Sequence, residues 1–291
     1  MLKVGFLGPE GTFCEEASLL YTKKLKNVEL ISYSTIYDLL IAVNKGHLDE
    51  GITPIENSIE GTVGIVTDML VKDVNLVIRQ EIVLPVFHYL LAQKGIKLSQ
   101  VTDIISHPQA IDQCKDYLRK KLPHVTIHLS YSTADAVRQV AAAPEGEVLK
   151  IKGIKAKKRV FAAIGTKAAS KLYGLRVLAS EINDYPDNLT RFVVLAKKDH
   201  ARTGDDKTSI VFSIAKDKPG GLHNILGEFA SRRINLTKIE SRPSKRALGD
   251  YFFFVDLQGH RGDKFTAEAL SEIKRKVAFF KLLGSYPRAK T

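Results

Sequence analysis

The chain has 291 residues and a formal net charge of +12 at pH 7, and 44% of its residues are hydrophobic and 26% charged. This composition excludes a disordered chain and is typical of a globular protein of about two domains. No apolar run approaches the roughly 18 residues of a membrane span, and the opening strand is too short for a signal-peptide core. We therefore expect a cytoplasmic protein with no membrane partner.

The positive charge is concentrated in one stretch. Lysines 150, 152, 155, 157 and 158 and Arg159 form an acid-free run within residues 147–159, and no aromatic residue is interleaved with them. Because stacking on bases requires such aromatic side chains, we interpret the run as a solvated loop or hairpin and predict no nucleic-acid partner. The two cysteines, Cys14 and Cys114, are far apart and outside any CxxC pair, which predicts free thiols. We expect Cys14 to pack as a small apolar side chain.

The first part of the chain predicts a parallel sheet with helices on its faces. Leu2–Leu7 reads as a buried strand, and Thr12 with Glu15 forms a capping box that begins a helix. A strand at Val28–Tyr33, a helix at Ser34–Asn44 and a strand at Glu50–Pro54 continue the β-α-β-α-β order.

Polar loops follow several of these strands. Asn57 and Ser58 lie beyond the third strand, and ligands of open α/β sheets bind beyond the carboxyl ends of strands. Thr12, Asn57 and Ser58 are therefore predicted to face one crevice, although turn and cap roles remain an alternative. Helix N-termini in such loops attract anions.

The pattern repeats in the middle of the chain. A short strand ends near Ser106, and Pro108 begins a helix that we expect to continue from Ala110 to Arg119, with Gln113 on one face. A third loop of the same kind, Gly165-Thr166, follows the strand that begins at Phe161. His107 is the histidine that we place in the cleft, either as a cap or as a base. His124 and His128 lie about 13 Å apart in a strand, which argues against a metal site.

The segment Asp187-Asn-Leu-Thr-Arg-Phe precedes an apolar strand. Its amide (Asn188), hydroxyl (Thr190) and guanidinium (Arg191) form a donor-rich cluster that suits an anionic or oxygen-rich ligand better than a metal. An ordinary turn is the alternative.

The polar stretch 200–207 marks a domain boundary, and the order after it is β-α-β-β-α-β, the ferredoxin-like plan. Residues 251–255, Tyr-Phe-Phe-Phe-Val, are apolar on both faces of their strand. We expect one of these faces to meet a second copy of the domain.

Seven motifs in order carry a family resemblance: Gly8-Pro-Glu-Gly-Thr-Phe, Pro54-Ile-Glu-Asn-Ser, Ser106-His-Pro-Gln with Gln113-Cys, Ala162-Ala-Ile-Gly, Asn188-Leu-Thr-Arg-Phe, Lys218-Pro-Gly-Gly-Leu and Glu240-Ser-Arg-Pro. Together they resemble a prephenate dehydratase with a C-terminal ACT regulatory domain. The resemblance implies an α/β fold with two lobes of the periplasmic-binding-protein type II kind in residues 1–199 (about 1–75 with 178–199, and about 76–177), followed by an ACT domain in residues 207–286.

The resemblance also implies an activity, the decarboxylating dehydration of prephenate to phenylpyruvate without a cofactor or metal, in L-phenylalanine biosynthesis. An arogenate dehydratase, or a non-catalytic sensor of amino acids or dicarboxylates, is the alternative. Since a threonine hydroxyl is a poor general acid, Thr190 either is polarised or only donates a hydrogen bond, and Glu56 and His107 are reserve acids.

The family's functional residues are carried over by motif. Thr190 is implied as the essential hydroxyl, and Asn57, Ser106, Gln113 and Arg191 as cleft-lining residues, with Arg191 binding a carboxylate. The substrate-binding loops contribute Thr12, Ser58, Gly165, Thr166 and Asn188. Phenylalanine is implied as an effector, bound between the ACT domains of a homodimer or homotetramer by Gly220, Gly221, Leu222, His223, Glu240, Ser241, Arg242 and Pro243.

Overall fold

The computed structural model of the protein describes residues 1–143, 159–214, 219–245, 247 and 249–289. The described residues form three sheets. The basic run from residue 147 to residue 158 lies outside the described residues. Arg159, the last member of that run, is described, and its Nη1 lies 3.0 Å from Asp103 Oδ1. Arg159 is therefore an ion-paired residue at the start of a strand, and our interpretation of it as solvated is wrong.

The first sheet has the strand order β2-β1-β3-β11-β5, with the short β4 paired to β3. Its elements are β1 (Leu2–Leu7), α1 (Phe13–Thr22), β2 (Val28–Tyr33), α2 (Ile36–Lys45), β3 (Glu50–Asn57), β4 (Gly61–Thr62), α3 (Gly64–Lys72), β5 (Val77–Pro85) and β11 (Leu189–Ala196). We expected β5 in the second lobe, but it pairs antiparallel with β11 along the strand. The chain therefore crosses to the second lobe only after Pro85.

The second sheet has the order β10-β6-β9-β7-β8. Its elements are β6 (Tyr89–Ala92), β7 (Asp103–Ser106), α4 (Pro108–Asp112), α5 (Lys115–Lys121), β8 (Thr126–Leu129), α6 (Thr133–Ala142), β9 (Phe161–Gly165), α7 (Lys167–Leu172) and β10 (Arg176–Ala179). The single helix expected from Ala110 to Arg119 is broken between α4 and α5. Gln113 is the C-terminal cap of α4. It therefore lies at the break and not on the face of a continuous helix.

The third sheet has the order β13-β14-β12-β15 and confirms the β-α-β-β-α-β plan. Its elements are β12 (Asp206–Ser213), α8 (Gly221–Ala230), β13 (Leu236–Pro243), β14 (Tyr251–Gln258), α9 (Lys264–Lys276) and β15 (Phe279–Pro287). The helices cover one face, where Phe212, Phe229 and Val255 are buried.

The other face of the third sheet packs against the first lobe of the same chain. Phe252, Phe254 and Leu283 belong to one buried cluster with Val193 of β11 and Ile78 of β5. The prediction that this face meets a second copy is wrong, because β14 presents its outward phenylalanines to the neighbouring lobe. None of the helices in the described residues is long and apolar enough to cross a membrane.

Candidate active site

A cavity of about 260 Å³ lies between the first and second lobes. Both lobes contribute to its wall, with Thr12, Asn57 and Thr190 on one side and Gln113, Ser132 and Thr133 on the other. Apolar side chains such as Phe13 and Phe192 fill much of the remaining wall. None of the described residues that line the cavity is Asp, Glu, Lys or Arg. The cavity is therefore lined by neutral donors and acceptors on an apolar background.

Helix starts supply part of this polar lining. Thr12 caps α1 by accepting the Glu15 N–H, and the Glu15 carboxylate accepts the Gly11 N–H at 2.6 Å, which confirms the predicted cap. Ser132 caps α6 by accepting the Asp135 N–H at 3.0 Å. The first N–H groups of a helix have no partner within the helix. The starts of α1 and α6 thus place two electropositive helix ends at the cavity from opposite lobes.

The two lobes are in contact at one end of the cavity. Thr166 donates its hydroxyl hydrogen to the Gly11 carbonyl oxygen at 2.7 Å, across the lobe boundary. Gly11 has φ +86°, and a Cβ there would lie 3.0 Å from the Ala169 Cβ. This close approach therefore favours glycine at position 11. Thr166 was predicted on a substrate-binding loop, but in the structure it links the lobes and does not line the cavity.

The hydroxyl of Thr190 has a defined orientation. Asn57 Oδ1 accepts the N–H groups of Ile59 and Glu60, both at 3.0 Å, and this fixes which end of the amide is oxygen. Asn57 Nδ2 then donates to Thr190 Oγ1 at 2.8 Å and to Asn188 Oδ1 at 2.7 Å. Because Thr190 Oγ1 accepts a hydrogen bond, its own hydrogen is available to a ligand in the cavity.

The same chain of hydrogen bonds reaches the second lobe. Asn188 Oδ1 accepts from Asn57, so its Nδ2 donates to Gln113 Oε1 at 2.9 Å. His88 Nε2 lies 3.0 Å from the same Gln113 oxygen and must carry the hydrogen. His88 Nδ1 is buried and has no hydrogen-bond partner within the described residues. Burial lowers the pKa of His88, against the opposing effect of its hydrogen bond to Gln113, so the imidazole is neutral at pH 7.

We did not predict His88 as a residue of the cavity. It stands in the apolar stretch Ile82–Ala92, outside any loop motif, and we had placed His107 in the cleft instead. The available signal was a single polar side chain within an otherwise apolar run. His107 also lines the cavity, but it caps α4, and its Nδ1 accepts the Gln109 N–H at 3.3 Å. The structure supports the cap interpretation of His107.

Arg191 is not in the cavity. Its guanidinium lies on the opposite face of β11 from Thr190, where Nη2 is 3.0 Å from Glu56 Oε2 and Nη1 is 2.7 Å from Asp256 Oδ2. Side chains of neighbouring strand residues point to opposite faces of a sheet, so Thr190 and Arg191 cannot both face the ligand. Our expectation that Arg191 lines the cleft and binds a carboxylate is wrong. Glu56 lies on this same outer face and is excluded as a reserve acid.

Other predicted residues support the site without lining it. Ser106 is fully buried and donates to the Ile164 carbonyl oxygen at 2.7 Å, which corrects its predicted place in the cleft wall. Ser58 is exposed and accepts the Leu189 N–H at 2.9 Å, so it fixes the start of β11. Gly165 packs beneath α6, where a Cβ would lie 2.3 Å from Val137 Cγ2. Asn188 lies behind Asn57 and Gln113 in the network described above.

The two cysteines are buried, and the histidine pair His124 and His128 makes structural contacts. Cys14 and Cys114 are free and buried, as predicted, and burial raises the pKa of the Cys14 thiol to about 12. His124 Nε2 contacts the Val101 carbonyl oxygen, and His128 Nε2 lies 2.7 Å from Asp103 Oδ1. Among the residues that the structure describes, no group of three or more His, Cys, Asp or Glu side chains could hold a metal ion.

In the third domain, Gly220 precedes α8 with φ +77°, and Glu240 lies on β13. The Glu240 carboxylate accepts a short hydrogen bond from the Thr62 hydroxyl and lies 3.2 Å from Lys238 Nζ. Burial alone would raise the pKa of Glu240, but the hydrogen bond from Thr62 and the nearby cations outweigh it and lower the pKa. The Glu240–Pro243 segment is thus in direct contact with the first lobe.

Two α/β lobes around an uncharged cavity, with a ferredoxin-like domain packed on the first lobe, define a two-lobed small-molecule-binding protein with an attached regulatory-type domain. The family model "Prephenate dehydratase" matches residues 4–200, and the model "ACT domain" matches residues 208–275. The chain belongs to the prephenate dehydratase family, and it carries an ACT domain, as the motifs of the sequence implied.

Curated relatives and solved structures agree with this assignment. The chain is 40% identical over 288 residues to a bifunctional chorismate mutase/prephenate dehydratase of Aquifex aeolicus, covering 99% of this chain and 74% of the relative. It is 37% identical to a prephenate dehydratase of Methanocaldococcus jannaschii, covering 96% of each chain. The crystal structure of a prephenate dehydratase from Arthrobacter aurescens in complex with L-Phe has a TM-score of 0.86 and 35% identity, covering 99% of this chain and 90% of that one.

Proposed function

We propose that the cavity binds prephenate and that the protein converts it to phenylpyruvate, carbon dioxide and water. The observation that carries this proposal is the Thr190 hydroxyl, which Asn57 orients with its hydrogen free toward an uncharged cavity. In the reaction, the bond to the departing carboxylate supplies electrons that complete the aromatic ring, and the ring hydroxyl leaves with its bonding electrons as hydroxide, which takes up a proton from solvent to give water. A donor aimed at that departing oxygen stabilises the charge that develops on it.

Thr190 acts here as a hydrogen-bond donor. No carboxyl group belongs to the described residues that line the cavity, and His107 is held as a helix cap. The Asn57 amide donates to Thr190 Oγ1, and a donor to that oxygen stabilises negative charge on it. The hydrogen bond that Thr190 donates to the leaving oxygen is therefore stronger than the hydrogen bond that an isolated threonine hydroxyl would donate.

The carboxylates of prephenate are bound without a guanidinium in this proposal. Arg191 faces away from the cavity, so the starts of α1 (Thr12) and α6 (Ser132 and Thr133) take that role. Helix N-termini stabilise anions through their free N–H groups and the helix dipole. Because the two helices belong to different lobes, one dianion contacts both lobes and favours their closure.

The ACT domain is the proposed site of regulation. A homologous prephenate dehydratase was crystallised in complex with L-Phe, which supports phenylalanine as the effector of this chain. The family motifs imply Gly220–His223 and Glu240–Pro243 as its site. As the sequence motifs imply, these two segments come from neighbouring ACT domains in a cytoplasmic homo-oligomer. The outer phenylalanines of β14 are buried against the first lobe and are not available to that interface.

The experiment compares prephenate and arogenate as substrates of the purified full chain. We expect phenylpyruvate from prephenate, with a higher kcat/KM than for phenylalanine formation from arogenate. Calorimetry with phenylalanine is run on the same preparation. Binding of prephenate without any product would support the non-catalytic sensor and contradict the proposal, and a preference for arogenate would change the substrate but keep the site.

A further inference from the structure

The ends of β3 and β11 have two functional faces. Thr190 pairs with Asn57 and Arg191 pairs with Glu56 in the antiparallel ladder between these strands. Thr190 and Asn57 line the cavity, whereas Arg191 and Glu56 form an ion pair on the opposite face. Thr190 is thus the sequence neighbour of Arg191, and Asn57 is the sequence neighbour of Glu56. Each of these two cavity residues is covalently bonded to one member of the ion pair.

This ion pair belongs to a charged cluster between the first lobe and the ACT domain, which we call the interdomain cluster. It has three cations and three anions: Arg191, Lys207, Lys238, Glu56, Glu81 and Asp256. Arg191 Nη1 is 2.7 Å from Asp256 Oδ2, Lys207 Nζ is 2.8 Å from Glu81 Oε2, and Lys238 Nζ is 3.0 Å from Glu56 Oε1. The lobe supplies Arg191, Glu56 and Glu81, and the ACT domain supplies the other three.

The cluster is largely shielded from water. The exposed fraction of the side chain is between 3% and 15% for five of the six members and 33% for Glu56. A buried ion that loses its partner is strongly destabilised, so the members of such a cluster hold one another in place. Domain motion at this interface must therefore move Arg191 and Glu56 with it.

The antiparallel ladder connects the interdomain cluster to the cavity. Glu56 opposes Arg191 but Pro54 opposes Phe192, so Ile55 is an extra residue, a bulge that separates the strand ends from the regular ladder. Beyond the bulge, the strand ends are held by the Asn57 amide on one face and by the Arg191–Glu56 pair on the other.

We propose that Arg191 and Glu56 are positioning residues, which couple the ACT domain to Thr190 and Asn57 through the interdomain cluster. The coupling begins at Lys238, whose Nζ bridges Glu56 and the effector-segment residue Glu240. An ammonium group bound at Glu240 competes with Lys238 for the carboxylate and so changes the partner that Lys238 offers to Glu56. This inference rests on the proposed function for the identity of the reaction and of the effector.

The test replaces Lys238 by Met in the full chain, because this removes the bridge without altering the cavity, Arg191 or Glu56. Lys245→Met is the matched control, since Lys245 pairs with Asp68 across the same interface but outside the cluster. The measurements are hydrogen exchange of the segment 188–192, and kcat and KM for prephenate with and without saturating phenylalanine. We expect faster exchange and an effect of phenylalanine reduced by at least about fivefold in Lys238→Met, with the control unchanged.

Arg191 is tested separately with Arg191→Lys, which keeps the charge but loses the forked geometry, and with Arg191→Met. A positioning role predicts a loss of kcat with KM within a factor of three, larger in Arg191→Met than in Arg191→Lys. Unchanged exchange and an unchanged phenylalanine effect in Lys238→Met would overturn the inference. Altered exchange in a chain that shows no turnover of prephenate would refute only the proposed function.

Discussion

At the scale of single residues, the site depends on one hydroxyl whose orientation is set by its neighbours. Thr190→Val removes the hydroxyl but keeps the shape of the side chain. Because the hydroxyl acts on the departing oxygen, we expect kcat to fall at least about 100-fold with little change in KM. Thr190→Ser, the control, keeps the donor and should retain most of the activity. Steady-state kinetics with prephenate measure both, and a Val variant within threefold of the wild type would remove Thr190 from the mechanism.

The burial of His88 predicts that the free energy of unfolding depends on pH. Its pKa is lowered by burial, so the unfolded chain takes up a proton at this residue before the folded chain does. The free energy of unfolding should therefore decrease as the pH falls below about 6.5, the ordinary histidine value, toward the lowered pKa of the folded state. Burial also lowers the pKa of His107, which adds a contribution of the same sign.

Urea unfolding at pH 7.5 and at pH 5.5 measures this pH dependence of the free energy of unfolding. Both values lie above the pKa of most carboxyl groups. His88→Gln keeps an amide donor for Gln113 but does not titrate, so the difference between the two pH values should become smaller. The control is His47→Gln, at an exposed position. An equal pH dependence in the wild type and in His88→Gln would contradict the assignment.

At the scale of elements, β15 of the ACT domain crosses β5 of the first lobe at Gly284. A Cβ at Gly284 would lie 2.3 Å from the Ile78 carbonyl oxygen and 2.8 Å from its nitrogen, and φ is +134°. Gly284→Ala should therefore displace the strand and lower the free energy of unfolding by about 1 to 3 kcal/mol. The control Gly204→Ala also has positive φ, +99°, but no atom within 4 Å of the added Cβ. Equal losses in the two variants would show that φ alone, and not the close approach, favours glycine at 284.

At the scale of the whole molecule, the ACT domain is part of the support of the first lobe. A chain truncated after Lys198 would expose the surface of Ile78 and Val193 that Phe252, Phe254 and Leu283 cover. It would also leave Arg191 and Glu81 without the ACT partners Asp256 and Lys207. We expect the truncated chain to melt at a lower temperature and to bind a hydrophobic dye, as well as to lose any response to phenylalanine. Calorimetric melting of both chains checks this, and an unchanged melting temperature would contradict it.

The sequence by itself determined the order of most strands and helices, the ferredoxin-like plan and several of the donors of the cavity. These features depend on local signals: periodicity defines the elements, and Thr12 caps its helix through its own neighbours Gly11 and Glu15. Asn57 and Thr190 were also identified, because polar residues at the ends of strands converge on one edge of a sheet, whereas Gln113 was identified through the family resemblance. Gln113 does line the cavity, although the helix break at this residue was not predicted.

Only the tertiary structure decided the surroundings of Arg191, Glu56 and His88. Arg191 and Glu56 follow the alternation of their strands. What lies on each face depends on a bulge and on the ACT domain, whose Asp256 is 65 residues further along the chain than its partner Arg191. Pairing with β11 places β5 in the first sheet, and the packing of the ACT domain buries the outer phenylalanines of β14 against the first lobe. His88 joins the hydrogen-bond network of the cavity through Gln113, which also accepts a hydrogen bond from Asn188. These contacts connect distant parts of the chain. Such long-range contacts leave no local pattern in the sequence, because the free energy of burial and pairing is gained only after the lobes and the domain have assembled.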